Sequence, residues 1–352
     1  MSGNALYHWP MRLVPLVALV LMPAAEATAQ PTQATHTRTS MAPVVSAPAW
    51  AFPTQLPAPP DPFPTADSIR VRRIPAVERA FTQKEAFNRF APADWLPQTH
   101  PPAPPVVAQG RRPTGFACAF CHLYNGAGRP ENATLAGLPV EYIVRQVRAF
   151  RDSTRLTANP VSRTNPMHGI ARSFSEADIE AAASYYAQLS LERRNRIVET
   201  AQVPKHRVTG IVYVRDGEGT EPIAGRLIEM PEDAERHELH DPTVRYVTYV
   251  PLRSLALGAR LARVGPAGVA TACITCHGPA LLGVGSSPPI AGRSPQYLLR
   301  QLISLRTGAR ADSGSAPMKA VVQAMSLREM VAVAAYVGSR APSARSAASS
   351  AR

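Results

Sequence analysis

A five-residue phrase occurs twice in this 352-residue chain and limits its fold more tightly than any other feature. Cys118-Ala119-Phe120-Cys121-His122 and Cys273-Ile274-Thr275-Cys276-His277 both read Cys-x-x-Cys-His, and together they use all four cysteines. The phrase is the attachment signal for c-type haem: two thiols add to the vinyl groups and the adjoining imidazole ligates the iron. A disulfide at this spacing is too close to staple a domain. Zinc would need a further ligand in each copy, and a redox dithiol does not account for the histidine after both. The expectation is two covalent haem c groups, on Cys118 and Cys121 and on Cys273 and Cys276, with His122 and His277 on the irons.

Haem attached in this way fits an exported chain. Arg12, the apolar run Leu13 to Met22 broken by Pro15, and Ala27-Thr28-Ala29 read as a signal peptide over 1–29. The run is shorter than the roughly 20 residues that span a bilayer, so a periplasmic protein is expected ahead of an uncleaved anchor. Lys and Arg total 38 against 25 Asp and Glu, a net charge of +13. Such an excess attracts an acidic partner or an anionic membrane surface. No aromatic-interleaved basic platform accompanies it, so nucleic acid is not an expected partner.

The remaining chain divides by composition. Residues 30–110 form a proline-rich arm; Pro31 to Gly110 holds 16 of the 36 prolines. Proline fixes φ and removes a donor, so extended structure is expected there. One short helix interrupts it, opened by a Thr82/Glu85 capping box, with Phe87, Phe90 and Trp95 following to pack on the first haem unit. That unit spans 111–200, with a helix over Glu141 to Phe150 and another capped by Ser175 and Asp178 that buries Ile179, Ala182, Ala183 and Tyr186. Residues 201–250 read as a connector with two or three short strands, too short for a core of its own. His206, His237 and His240 lie there and read as exposed loop residues. The second haem unit spans 251–340, beginning with a helix near Leu255 to Ala262, and 341–352 is a polar tail expected to be disordered.

The two units are an internal repeat. Cys118 and Cys273, His122 and His277, Leu135 and Ile290, Gly137 and Gly292, Tyr142 and Tyr297, Gln146 and Gln301, and Arg155 and Arg310 are all 155 apart. Beyond them the offset becomes 151, pairing Ser175 with Ser326 and Tyr185 with Tyr336. The same offset pairs Met167 with Met318. Both are expected on loops before the final helix, each as the second axial ligand. His168 is the competitor in the first unit, but Lys319 answers it in the second. Met325 is answered by Phe174, a position where a staple residue is expected.

With the doubled motif, the Leu-Ala-Gly and Ile-Ala-Gly signatures, the Tyr-x-x-x-Gln helix, the paired methionines and the capped last helix, each half resembles a class I cytochrome c. The tandem resembles the dihaem cytochromes c. The resemblance covers 111–200 and 251–340 and implies a mainly α fold of small helices around each haem, with His and Met as axial ligands. It also implies a carbonyl accepting from each ligating imidazole, at Pro288 in the second unit. Ala133 replaces that proline in the first unit, and Leu123 stands where the second has Gly278. The implied function is electron transfer between a respiratory donor and an acceptor such as a terminal oxidase, through redox partners with acidic docking surfaces. Two alternatives stay open: a cytochrome subunit of a periplasmic dehydrogenase complex, and a dihaem peroxidase or other oxidoreductase with one open iron.

Overall fold

The computed structural model describes residues 47–55, 69–269 and 271–342. The signal peptide, the Pro57 to Pro62 stretch and the tail after residue 342 lie outside the described residues. Ahead of the first haem motif, a hairpin of β1 (Val71–Arg73) and β2 (Ala80–Thr82) leads into α1 (Gln83–Ala86), and α2 (Pro105–Ala108) begins with a proline at its first turn. Thr82 and Glu85 make the reciprocal capping box that opens α1. Trp95 is fully buried with Ile74, Ala86, Ala93 and Leu239, and its indole N–H donates to the Leu239 carbonyl at 2.9 Å.

The first haem unit is built from α3 (Cys118–His122), α4 (Val140–Arg151), α5 (Met167–Arg172) and α6 (Glu176–Ala187). Ser175 and Asp178 cap α6 reciprocally, and Ile179, Ala182, Ala183 and Tyr186 are all buried. A cap of this kind stabilises its helix by roughly 1 kcal/mol. Met167 is not on a loop: it opens α5, its backbone N–H held by the Asn165 side chain at 2.9 Å. That bond supplies one of the donors a helix start leaves unsatisfied, which is why the helix begins there.

The connector is more structured than its composition suggests. It follows β3 (Asn195–Glu199), at the end of the first unit's span, and carries β4 (Gln202–Thr209), β5 (Val212–Pro222), β6 (Ile228–Pro231), α7 (Ala234–Glu238) and β7 (Tyr246–Val250). Strand β7 is central, parallel to β3 and antiparallel to β6, while β4 and β5 form a hairpin. The expected two or three short strands are four, and β5 alone runs 11 residues. They also enclose a small core of Val203, Tyr213, Ile223, Ile228 and Met230, because the hairpin folds back onto the sheet.

The second haem unit comprises α8 (Ser254–Val264), α9 (Cys273–His277), α10 (Pro295–Arg306), α11 (Ala316–Gln323) and α12 (Leu327–Ser339). Met318 lies within α11, one residue after Pro317, so it too is helical rather than on a loop. Helices α8 and α12 pack directly, and Gly258 makes this possible: a Cβ there would sit 2.1 Å from the Ala332 carbonyl. Leu261, Leu299 and Met330 are fully buried here, each burial stabilising the fold by about 1.5–3 kcal/mol. Among the described residues no single helix is long and apolar enough to cross a membrane. The α11–α12 region passes that test only as a pair bent by 119°, and α12 is largely core.

A buried carboxyl ties the connector to the second unit. Glu229 on β6 is 1% exposed and accepts from the Ser294 hydroxyl and the Gln296 N–H, both at 2.8 Å, at the start of α10. Burial pushes its pKa up to about 7 against the pull of these two donors. The native state thus keeps a proton that the unfolded chain loses near 4.5, so this group lowers stability as pH rises from about 4.5 to 7. The full loss is about 3 kcal/mol, at roughly 1.4 kcal/mol per pKa unit. Glu229→Gln keeps both acceptor contacts. Its stability relative to wild type, from urea midpoints, is expected to be near zero at pH 4.5 and to grow until about pH 7.5. A difference that does not change with pH would show that Glu229 is ionised throughout.

Candidate haem-attachment sites

Each Cys-x-x-Cys-His phrase forms one short helix, so its two thiols and its imidazole lie on a single turn. Such a turn cannot by itself leave a histidine oriented, and a carbonyl does this in both units. His122 Nδ1 lies 2.8 Å from the Ala133 carbonyl, and His277 Nδ1 lies 2.8 Å from the Pro288 carbonyl. The bond fixes the tautomer, with Nδ1 donating and Nε2 left as a lone-pair donor to a metal. Replacing proline by alanine in the first unit has not lengthened it.

The supporting loops share their main backbone bonds. Gly128 N–H donates to the His122 carbonyl, as Gly283 N–H does to His277. Gly137 N–H donates to Tyr186, as Gly292 N–H does to Val337. Positive φ recurs at Leu123 and Gly278 (63° and 80°) and at Gly126 and Leu281 (66° and 61°). In each pair one member is leucine, held at a positive φ that L-residues rarely adopt.

The electrostatics suit imidazole ligands. Burial pushes the His122 pKa down to about 4, partly offset by the Ala133 carbonyl, and burial likewise lowers His277. Both rings are neutral at neutral pH, the form that binds a metal. All four cysteines are unpaired thiols. Burial raises Cys118 to about 12 and also raises Cys121 and Cys273. Among the described residues no group of three His, Cys, Asp or Glu gathers to hold a metal ion, so a zinc reading gains no support. Neutral oriented imidazoles beside paired free thiols are the donor set that haem c requires.

Met167 and Cys118 both pack against the first core, and Met318, Cys273 and Ile274 against the second, so each repeated methionine shares a core with its own motif. His168 is also buried, with Nδ1 3.1 Å from the Asn165 carbonyl and its ring edge-on to Phe150.

Repeated residues that the sequence marked without a role meet between the units. Arg155 of the first unit donates to Gln146 (2.6 Å) and across to Tyr297 and Gln301 of the second, at 2.9 and 3.1 Å. Arg310 of the second donates across to Tyr142 and Gln146 of the first, at 3.0 and 2.9 Å, and to Asp312 at 3.4 Å. The backbone is paired with the same symmetry, Leu156 N–H to the Ala309 carbonyl and Ala311 N–H to the Thr154 carbonyl. Burial raises the Tyr142 pKa, but Arg310 and Arg155 outweigh it and hold the phenol below its ordinary value.

The connector histidines are not exposed. His237 and His240 are 2% and 4% exposed, and the His206 side chain is largely covered. His237 Nδ1 meets the Tyr246 hydroxyl at 3.1 Å, with Nε2 3.5 Å from Glu131, while His240 packs between Phe87 and Phe120. The burial of His237 and His240 comes from α7 and the turn after it folding against the first unit, a contact between residues more than 100 positions apart.

Comparison with known proteins agrees with this chemistry. The chain is 28% identical over 277 residues to the thiosulfate dehydrogenase electron acceptor of Thiomonas intermedia, covering 77% of this chain and 93% of that protein. It is 23% identical over 228 residues to cytochrome c4 of Azotobacter vinelandii, covering 62% and 82%. The solved thiosulfate dehydrogenase TsdBA from Marichromatium purpuratum matches with a TM-score of 0.46 at 28% identity, covering 70% of this chain. The match spans 41% of that longer chain. No family model matches. The prosthetic groups are two covalently attached haem c, and the chemistry is that of a c-type cytochrome.

Proposed function

We propose that the protein is a periplasmic dihaem electron carrier, in which Met167 and Met318 complete the shells begun by His122 and His277. When bound, the haems supply reversible one-electron exchange. The chain's own part is to orient the two imidazoles through Ala133 and Pro288, keep them neutral by burial, and present a thioether from each methionine. The observation that carries this reading is the set of imidazole and backbone bonds that the two sites share. A catalytic dihaem enzyme needs one iron opened to substrate; the methionine repeated in both units supports two closed shells instead.

The relative from Thiomonas intermedia, an electron acceptor of thiosulfate dehydrogenase, favours a dehydrogenase of reduced sulfur as the donor. The net charge of +13 favours transient, salt-sensitive docking to acidic partners. The test is spectroscopic: two haems per chain, both low-spin in oxidised and reduced states, with no peroxide turnover. A high-spin iron that turns over peroxide would replace the carrier with an enzyme.

A further inference from the structure

The two attachment motifs agree in their loops but differ in what covers them. In the first unit, Phe120 meets Phe87, Phe116 and His240, and Tyr124 stacks on His100 at 5.2 Å. The Ala117 N–H, next to the motif, donates to the Arg89 carbonyl, and Asn125 reaches the Pro242 carbonyl. The motif face is thus closed by the segment before it and by the turn after α7. At the equivalent positions of the second unit, Phe120, Tyr124 and Asn125 become Thr275, Pro279 and Ala280, and all three are exposed. Cys276 is exposed where Cys121 is half-buried. Val284, which lies against Gly278, is 60% exposed.

Charge is distributed with the same asymmetry. Residues 251–340 carry ten Lys and Arg against two acidic residues, whereas 111–200 carry twelve against eight. The two acids of the second unit are engaged internally, Asp312 with Arg310 and Glu329 in the cap of α12. Arg260 and Arg263 are exposed on the helix packed against the second motif and have no acidic partner among the described residues. A small apolar face on a unit so rich in unneutralised cations is complementary to an apolar redox edge ringed by carboxylates.

We propose that the face of Thr275, Cys276, Pro279, Ala280 and Val284 is the docking surface where this protein exchanges electrons with an acidic redox protein, the first haem being reached through the second. This rests on the carrier reading above. One electron passes per encounter between the second haem and the partner's one-electron centre, and no bond is made or broken. At the first motif the matching positions, Phe120, Cys121, Tyr124 and Asn125, are half-buried under the chain's own residues.

The test uses the full-length holoprotein and plastocyanin, an acidic one-electron copper protein, as the probe. Second-order rate constants are measured by stopped flow at low and high salt for wild type, Val284→Glu, Arg263→Glu and Arg163→Glu. The last reverses an exposed charge on the first unit. Electrostatic steering of this kind changes association rates by about tenfold or more. The Val284 and Arg263 variants are therefore expected to fall about tenfold at low salt, with haem content unchanged and the difference shrinking in high salt. Arg163→Glu is expected to stay within about twofold.

Equal losses in all three variants, or a loss confined to Arg163→Glu, would overturn the inference. So would wild-type rates in the Val284 and Arg263 variants accompanied by lost binding to phosphatidylglycerol vesicles, which would make the face a membrane contact. Failure of the carrier reading looks different: wild type itself would show a high-spin iron or no exchange with the probe.

Discussion

Arg310→Leu is expected to destabilise the holoprotein by about 3–5 kcal/mol and to separate its unfolding into two transitions. The reason is the company Arg310 keeps. Its guanidinium holds Tyr142 and Gln146 of the other unit, Gln301 of its own at 3.3 Å, and Asp312, whose carboxylate is 5% exposed. Removing one partner of a buried charge leaves the other uncompensated, a loss of that order. Arg155→Leu is expected to cost less, about 2 kcal/mol, because Arg310 still serves Gln146 and Gln301 and no carboxylate is stranded. Leucine fills much of the space in both cases, so the comparison isolates the polar contacts. Urea denaturation followed by haem absorbance and far-ultraviolet dichroism would read both changes. The phenol of Tyr142 gives a second readout: freed of Arg310, its pKa rises in a titration at 295 nm. A loss below about 1 kcal/mol in Arg310→Leu would assign the cohesion of the units elsewhere, such as to Arg293, which donates to the Thr134 and Ala136 carbonyls.

This network shows what a sequence conveys and where it stops. The constant offset singles out Tyr142 with Tyr297, Gln146 with Gln301 and Arg155 with Arg310, which is enough to say that something repeated depends on them. It cannot say whether a repeated residue serves its own unit or its twin. The structure answers that they serve across the pair: each arginine reaches the tyrosine of the other unit, the reciprocity of an interface between like halves. Local signals were legible for the same reason that they are local. The capping boxes at Thr82, Ser175 and Ser326 are satisfied within three residues, so spacing alone reveals them. The burial of His237 and His240 was not legible. It is decided by Phe87 and Phe120 for His240 and by Glu131 for His237, all more than 100 residues away, and a loop histidine has no periodicity to betray a distant neighbour. The small core of the connector was missed likewise, since Val203, Tyr213 and Ile228 come together only when the hairpin folds onto the sheet.

Substituting the methionines is expected to act on one site at a time. Met318→Ala should convert one haem to high-spin and lower its potential, while the other keeps its spectrum. Met167→Ala should do the same to the other haem, and the double variant should leave neither low-spin. Axial ligands set haem potentials over a range of about 0.8 V, with a thioether opposite histidine toward the upper part. A fall on the order of 0.1 V or more per site is therefore expected, read by redox titration of each variant. The two sites also test the repeat argument against its rival. Beside Met318 stands Lys319, exposed, whereas beside Met167 stands His168, buried and oriented by Asn165. If Met167→Ala stayed low-spin and His168→Ala did not, the first iron would be ligated by two imidazoles and the symmetry of the irons would end there. Two residues one position apart on a helix point about 100° from each other, so both cannot face the same iron without turning α5. With Asn165 holding the Met167 N–H and its own carbonyl at His168 Nδ1, that turn would break both contacts, so the spectra of Met167→Ala and His168→Ala decide between the two donors.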